Sequence, residues 1–301
     1  MPDPFALPGN RENGGSVTRR LGGVLVLTLG YTVAEVVGGL LTNSLALLAD
    51  AGHMMIDNAA LALALVAARF ARRPPDPART YGYQRAEILA ALANGVLLVV
   101  ICLFIFWEAW KRLQAPPEVA YGLMGAVAGG GLLVNLIAAR ILHGHRHGLN
   151  IRAAYLHVLG DLLGSLGVLA AAAVMALFGW AWADPVASIL IGGIIIVSSV
   201  RLVLDSLNVL MEGVPSHLNT EEIRQCLLET AGVGDVHDLH VWSLAGGAPL
   251  LTAHLVVDHT VAPATILRVA VRNLRDRFGI THTTLQIEPP DFNIVSNLGV
   301  S

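Results

Sequence analysis

Two apolar segments of the chain carry the same pair of ionisable residues, a histidine followed four positions later by an aspartate. The first pair is His53 and Asp57, and the second is His157 and Asp161. A spacing of four places both side chains on one face of a helix, one turn apart. Ionisable side chains are costly in lipid and usually line a pathway or a binding site. Two imidazoles and two carboxylates make a four-coordinate site of the kind that zinc prefers, so the pattern predicts a divalent metal site within a membrane.

A simpler interpretation is that each His–Asp pair is a hydrogen bond that holds a helix bundle together. Two copies, each centred in an apolar segment, favour the metal site, because burying such pairs is costly. Asp50 lies one turn before His53. It either supports a metal ligand through a hydrogen bond or caps a helix. Four further polar residues fall inside apolar segments and are not expected to be ligands: Glu35, Asn94, Glu108 and Asn135.

The charge of this quartet indicates what it could do. Two buried aspartates with nothing bound would place two negative charges in a medium of low dielectric, so either protons or a divalent cation must compensate them. Metal binding needs neutral imidazole and ionised carboxylate, so protons and metal compete for the site. A site reachable from alternate sides would exchange one for the other, which predicts a metal/proton antiporter. Imidazole with carboxylate suits zinc best and also admits cobalt, nickel or cadmium.

Composition places the chain in a membrane. Its 301 residues are 54% hydrophobic and 14% charged, whereas a soluble domain carries about 25% charged residues. The net charge of −3 gives no reason to expect nucleic acid as a partner. Two cysteines exclude a disulfide framework and a thiol zinc cluster. Apolar runs of about spanning length predict six membrane helices, at Leu21–Leu41, Leu45–Ala68, Ile88–Trp110, Gly122–Ile141, Ala153–Trp180 and Pro185–Leu210.

Arginines gather on one side of these runs, while the opposite side holds mainly Lys111 and Arg112. The positive-inside rule then places both termini in the cytoplasm. The short loops and Ala/Gly/Arg-rich usage suit a bacterium. We therefore expect a multi-pass protein of the plasma membrane, which in a bacterium is the inner membrane. Lipid would surround its membrane helices.

The chain is expected to have a tail at 1–20, a six-helix transmembrane domain at 21–210, a cytoplasmic domain at 211–290 and a second tail at 291–301. The pattern after Glu212 predicts the order αββαβ. Its segments are TEEIRQCLLETAG, VHDLHVWSL, PLLTAHLVVD, ATILRVAVRNLRDRFG and TTLQIEP. The predicted fold class is an α-helical membrane protein, a six-transmembrane-helix bundle followed by a small αββαβ domain.

This second domain has candidate ligands of its own. They are His237, His240, His254, His282 and Glu288. Adjacent strands can bring such residues together into a metal site. A polar strand face without metal is an equal alternative from spacing alone.

Several motifs resemble those of the cation diffusion facilitator family of zinc transporters, over about Leu21 to Pro289. They are SLALLADAGHMMIDNAALALAL, YGYQRAEILAALANG, AAYLHVLGDLLGSLGV, ADPVASILIG, and GVGDVHDLHVWSL with TAHLVV. The resemblance implies a homodimer whose cytoplasmic domain is metallochaperone-like, with a ferredoxin-like order of elements, and serves metal binding and dimerisation. It implies zinc export driven by proton entry, with the transport site on the quartet.

The resemblance also assigns roles in the cytoplasmic part. It places a structural zinc ion on His237, His254 and Glu288, while Gln286 replaces a histidine of some members, which weakens the case for a second ion. In some members a charge pair holds the dimer, and its counterpart here is Arg85 with Glu212.

Some members bind a further metal through a His-x-x-x-His pair between the second and third helices. Arg79 and Tyr83 occupy those positions, so that site is expected to be absent.

Two other functions compete with transport. An intramembrane zinc hydrolase would use an HxxxD pair for a catalytic metal, but the chain has no HExxH and no Gly-x-Ser-x-Gly motif. A membrane metal sensor would use the cytoplasmic domain, but no kinase, cyclase or DNA-binding signature accompanies it. We therefore expect a transporter and not an enzyme.

Overall fold

A computed structural model describes residues 14–71, 73–143, 149–244, 249–258 and 261–291. The chain divides into two compact units. One combines Met1–Ala62 with Asn94–Val200, and the other combines Leu63–Ala93 with Arg201–Ser301.

Six long helices fill the described part of the chain before residue 211. They are α1 (Gly14–Thr42), α2 (Leu45–Ala71), α3 (Arg85–Gln114), α4 (Tyr121–His143), α5 (Leu149–Phe178) and α6 (Ala183–Leu210). Their sequences are rich in Leu, Ala, Val and Ile, and a helix satisfies the backbone hydrogen bonds within its own segment, as lipid requires. The boundaries between the two units fall within α2, α3 and α6.

Four of the described helical segments are long and apolar enough to cross a membrane: Arg85–Gln114, Tyr121–Ile141, Val158–Phe178 and Ala183–Leu210. The apolar stretch of α1, Val26–Thr42, is shorter. The first half of α2 carries Asp50, His53 and Asp57. The membrane crossings of α1 and α2 therefore stay a prediction.

Small and medium side chains build the core of the first unit. Ala46, Leu98, Met124, Val168 and Ile191 are among its buried members. Small residues let membrane helices approach closely, since lipid gives no hydrophobic force between them. Large apolar side chains on α6, such as those of Leu190 and Ile194, are exposed on the outside of this unit. This surface suits a lipid environment.

The second unit contains the αββαβ domain. Its elements are α7 (Thr220–Leu228), β1 (Val233–Ser243), β2 (Pro249–Val257), α8 (Pro263–Phe278) and β3 (His282–Glu288). The strands form one sheet in the order β1-β2-β3, with β1 antiparallel and β3 parallel to β2. The register places His237 opposite His254, and His254 opposite Gln286.

Local signals set the ends of these helices. Asn219 caps α7 by accepting a hydrogen bond of 2.9 Å from the backbone N–H of Glu221. The helix expected to run to Gly232 ends earlier, at Leu228, with Glu229 as its C-cap, and the chain turns at Gly232, where φ is +92°. Pro263 opens α8, and Gly279 ends it in the left-handed conformation.

The sheet has one apolar face and one polar face. Leu251, Ala253 and Leu255 of β2 are buried with Ile223 of α7 and Ile266 of α8 in one core. Side chains alternate between faces along a strand, so His254 lies on the opposite face. Its cross-strand partners His237 and Gln286 share that face. The fold thus gathers these polar residues on the face of the sheet opposite the apolar core.

Candidate metal sites

His53 and Asp57 are in direct contact on α2. His53 Nε2 lies 3.3 Å from Asp57 Oδ2, and the two side chains are 23% and 21% exposed. The spacing of four residues produces this contact, since such residues share one helix face. The pair presents an imidazole and a carboxylate to an ion that reaches this face.

The second pair lies on α5. Asp161 is buried, and it interacts electrostatically with Glu35 of α1 and Asp50 of α2. His157 lies one turn earlier on the same helix, and its side chain is outside the described residues. All four residues belong to the first compact unit. Their joint coordination of one ion is a proposal.

Asp50 packs against α5. The helix α2 begins at Leu45, so Asp50 lies in its second turn and does not cap it. A Cβ atom at Gly164 would come within 2.5 Å of Asp50 Oδ1. The carboxylate therefore fits against α5 because this residue has no side chain. Asp50 Oδ2 is buried without a hydrogen-bond partner. The capping interpretation is therefore wrong, and the supporting role beside His53 stays a prediction.

Glu35 adds a carboxylate that the sequence alone gives no reason to favour. Its side chain is 0% exposed, and neither oxygen makes a hydrogen bond of good geometry, although the Tyr31 and Asp50 side chains lie close to it. It interacts electrostatically with Asp50 and Asp161. Neighbouring carboxylates in a medium of low dielectric repel one another unless protons or a cation compensate them. The only sequence signal is the place of Glu35 within an apolar helix.

Asn135 of α4 forms the interhelical hydrogen bond expected of a polar residue in lipid. Its Nδ2 donates to Ser165 Oγ of α5 at 3.4 Å. Its Oδ1 is buried without a partner. The interpretation of Asn135 as a packing residue is confirmed.

Asp184, in the first turn of α6, fixes the start of α2. Its Oδ1 accepts hydrogen bonds from the Ser44 hydroxyl at 2.6 Å and the Ala46 N–H at 3.1 Å. Its Oδ2 accepts from the Leu45 N–H at 2.9 Å and lies 3.8 Å from Arg112 Nη1. These N–H groups have no partner within the helix. A buried carboxylate from another helix thus caps the element that carries His53 and Asp57.

His237, His254 and Glu288 form a compact group in the αββαβ domain. The ligand atoms that they offer all lie within 4.8 Å of one another. His237 Nε2 is 3.0 Å from Glu288 Oε2, and His254 Nδ1 is 2.9 Å from Glu288 Oε1. The Glu288 side chain is 1% exposed. Two imidazoles and a buried carboxylate are the donor set of a zinc site.

Two other candidate ligands of this domain lie outside that group, as far as the described residues extend. His240 makes a hydrogen bond of 3.0 Å with Asp238 Oδ1. His282 contacts the ring of Tyr81 edge-to-face, with 6.2 Å between ring centroids. Their expected role as ligands is not supported by position. His240 follows the irregularity in β1, and His282 is the first residue of β3, so both lie away from the group of three ligands.

Arg85 and Glu212 meet within one chain. Arg85 Nη2 donates to Glu212 Oε1 at 2.9 Å. Arg85 opens α3, and Glu212 follows α6 in a left-handed conformation, with φ of +61°. The pairing of the two residues is thus observed, and its effect on a dimer stays a prediction.

Family models match nearly the whole described chain. The model of the cation efflux transmembrane domain matches residues 24–211, and that of the cation efflux protein cytoplasmic domain matches residues 215–290. The chain belongs to the cation efflux family. These are the cation diffusion facilitators whose motifs it resembles.

Relatives of this cation efflux protein carry transporter names. It is 44% identical over 293 residues to the "Cadmium, cobalt and zinc/H(+)-K(+) antiporter" of Bacillus velezensis, covering 95% of this chain and 93% of that protein. It is 44% identical over 273 residues to "Zinc transporter ZitB" of Escherichia coli, covering 90% and 87%.

One solved structure is similar to part of this cation efflux protein. It is titled "Metal-bound C-terminal domain of the CzcD transporter", from a Cupriavidus species. The identity is 40%, and the match covers 24% of this chain and 99% of the solved one, with a TM-score of 0.23.

Proposed function

We propose that this cation efflux protein is a secondary active transporter that exports zinc from the cytoplasm in exchange for protons. Cadmium, cobalt and nickel are further candidate substrates, because they share ligand preferences with zinc. The names of the relatives support zinc, cadmium and cobalt. The observation that carries the proposal is the repeated HxxxD pair on two helices of one unit, with His53 and Asp57 in contact.

The transport site consists of His53, Asp57, His157 and Asp161. Two neutral imidazoles and two carboxylates balance the charge of one divalent cation. When the ion leaves, the carboxylates need protons in its place, above all the buried Asp161, which interacts with Asp50 and Glu35 in a region of low dielectric. Exposure of this site to each side in turn then couples metal leaving to proton entry.

The proposed topology has six crossings, with both termini in the cytoplasm, in the plasma membrane. The residue boundaries are 21–210 for the membrane domain and 211–290 for the cytoplasmic domain. The positive-inside rule supports the orientation. The second family model describes a cytoplasmic domain and supports the placement of the αββαβ unit, which we propose to mediate a homodimer.

We also propose that His237, His254 and Glu288 bind a resident zinc ion. The donor chemistry of the group supports this assignment. His254 Nδ1 and Glu288 Oε1 lie 2.9 Å apart without a hydrogen bond of good geometry, so both atoms can face one metal ion. The ion would add a covalent link between the three strands of a small domain.

Flux under an imposed gradient tests the proposal. Everted membrane vesicles with an acidic lumen should accumulate radioactive zinc, and uptake should stop when the pH gradient is collapsed. Asp57→Asn and Asp161→Asn should each abolish uptake, because either change removes a charge that the ion requires. Asp205→Asn, at an exposed position of α6, is the matched control and should transport like the wild type.

The same vesicles separate the competing functions. An intramembrane hydrolase or a metal sensor would show no uphill zinc movement, so absent flux with folded protein overturns the proposal. Because the Bacillus relative is named for potassium as well as protons, uptake is also measured with a potassium gradient alone. Flux that needs only potassium would contradict the proton half of the mechanism.

A further inference from the structure

Asp238 lies beside the proposed zinc site in a backbone conformation that residues other than glycine rarely adopt. Its φ is +50°, and the register of β1 against β2 shifts between His237 and His240. A bulge of this kind re-aims the side chains around it. Left-handed residues other than glycine concentrate at functional sites, where the surroundings hold them in place.

The bulge directs the Asp238 carboxylate toward two histidines. Oδ2 lies 3.7 Å from His254 Nε2, and Oδ1 makes a hydrogen bond of 3.0 Å with His240 Nε2. A separation of 3.7 Å is slightly longer than a hydrogen bond. A small side-chain rotation would close it, while His240 holds the other oxygen.

His254 therefore faces a carboxylate with each of its ring nitrogens. Nδ1 lies 2.9 Å from Glu288 Oε1, and Nε2 faces Asp238. A histidine that binds a metal through one nitrogen almost always donates its other N–H to a carboxylate, a carbonyl or water. That second bond sets the tautomer and the ring orientation, and leaves the ligand nitrogen with its lone pair.

We propose that Asp238 is a positioning residue for the cytoplasmic metal site. Its carboxylate accepts the Nε2–H of His254, which keeps the proton off Nδ1 and aims this nitrogen at the metal. Asp238 is not itself a ligand. The bulge places its carboxylate beside His254. The inference rests on the proposed zinc site of His237, His254 and Glu288.

Two substitutions separate this role from a role in folding. Asn and Gly both tolerate a positive φ, so Asp238→Asn and Asp238→Gly preserve the bulge. Glycine removes the acceptor altogether. Asparagine can instead present an amide N–H to Nε2, which favours the tautomer with the proton on Nδ1 and blocks the ligand atom. A purely conformational role predicts that both variants behave like the wild type.

The experiment uses the full-length protein in detergent, with Asp57→Ala and Asp161→Ala present to silence the intramembrane site. Zinc affinity is measured by competition with a chromogenic chelator, and the melting temperature is measured without metal. We expect Asp238→Asn and Asp238→Gly to weaken zinc binding by about 10- to 100-fold, with the metal-free melting temperature unchanged. Asp235→Asn, on the same strand and paired with Arg224, is the control and should bind zinc normally.

The outcomes separate the inference from the site on which it rests. In the same background, His237→Ala should abolish tight zinc binding. If it does, and both Asp238 variants keep the parent affinity, the positioning role is overturned while the zinc site stands. If the parent binds no zinc, or His237→Ala has no effect, the site and the inference fall together. Weaker binding with an equally lowered metal-free melting temperature would make Asp238 a structural residue and also overturns the proposal.

Discussion

The carboxylate of Asp184 accepts a hydrogen bond of 2.6 Å from the hydroxyl of Ser44, which precedes it by 140 residues. The same carboxylate accepts hydrogen bonds from the N–H groups of Leu45 and Ala46. The first turn of α2 is thus capped by α6 and not by its own flanking sequence alone. Because His53 lies two turns further along α2, this cap also helps to position the proposed transport site.

Removing this cap should destabilise the membrane domain. Asp184→Ala leaves two backbone N–H groups and a hydroxyl without an acceptor in a buried place, which should cost about 2–3 kcal/mol. The melting temperature of the detergent-solubilised protein, followed by tryptophan fluorescence, should fall. Asp205→Ala, on an exposed face of α6, is the control. Equal melting temperatures for the two variants would contradict the role of Asp184.

Glu35 should behave in the opposite way. Its carboxylate is fully buried beside Asp50 and Asp161 and makes no hydrogen bond of good geometry, so Glu35→Met should raise the free energy of unfolding by about 1 kcal/mol. The same change should lower zinc flux, because a buried carboxylate retained at this cost within lipid is typical of a transport pathway. Melting temperature and vesicle uptake are measured on one preparation.

Glu108→Met provides the comparison for Glu35. Glu108 accepts a hydrogen bond of 3.2 Å from Arg112, so its loss should lower stability. A Glu35→Met protein that is less stable than the wild type would show that this carboxylate serves the fold. Unchanged flux would remove Glu35 from the pathway.

The Arg85–Glu212 pair should contribute little to the stability of one protomer. The two side chains are 36% and 63% exposed, and exposed ion pairs contribute about 0.2–1 kcal/mol. A double-mutant cycle of Arg85→Glu, Glu212→Arg and both together should give a coupling in this range. If the pair holds a dimer, light scattering should show dissociation in each single variant and recovery in the double variant. A dimer of unchanged strength in Arg85→Glu would count against that role.

The loop between α2 and α3 should open in acid. The Tyr83 hydroxyl donates to Asp76 Oδ2 at 2.7 Å and lowers the pKa of Asp76 below its ordinary value, with help from the Arg79 and Ala78 N–H groups. A lowered pKa stabilises the loop above the ordinary pKa of the carboxyl, and the contribution is lost as the pH falls through the folded value. Hydrogen exchange of Ala78 and Arg79 should therefore speed up in that range.

Tyr83→Phe tests the cause of this shift. Without the hydroxyl, the pKa of Asp76 should rise toward its ordinary value, so protection of the two amides should be lost at a higher pH. Identical exchange profiles in the wild type and the variant would contradict the assignment of the shift to Tyr83. The wild type at neutral pH serves as the reference for full protection.

Periodicity and spacing were sufficient to predict much of this molecule. The contact of His53 with Asp57 follows from their spacing of four residues in a helix. The order αββαβ follows from the alternation of apolar residues and from the turn residues. The early end of α7 at Leu228 was not predicted, because the helical sequence pattern continues to Gly232, whereas the helix is capped at Glu229.

Long-range relationships could not be predicted in the same way. Nothing local to Glu35 or Asp184 indicates that one lies beside Asp50 and the other caps α2, because both depend on which helices pack together. The bulge at Asp238 could not be predicted either, because the segment HDLH has the pattern of a regular strand. Glu35, Asp184 and Asp238 lie at or near the candidate sites. There the structure that the fold imposes differs from the one that the local sequence favours.

Proton movement triggered by zinc tests the central claim most directly. Proteoliposomes are loaded with a pH-sensitive dye, and zinc is added outside without any imposed gradient. Zinc entering through molecules whose cytoplasmic side faces outward should expel protons, so the lumen should become alkaline with the wild type and stay unchanged with Asp57→Ala. Equal alkalinisation with both proteins would contradict exchange at the intramembrane quartet.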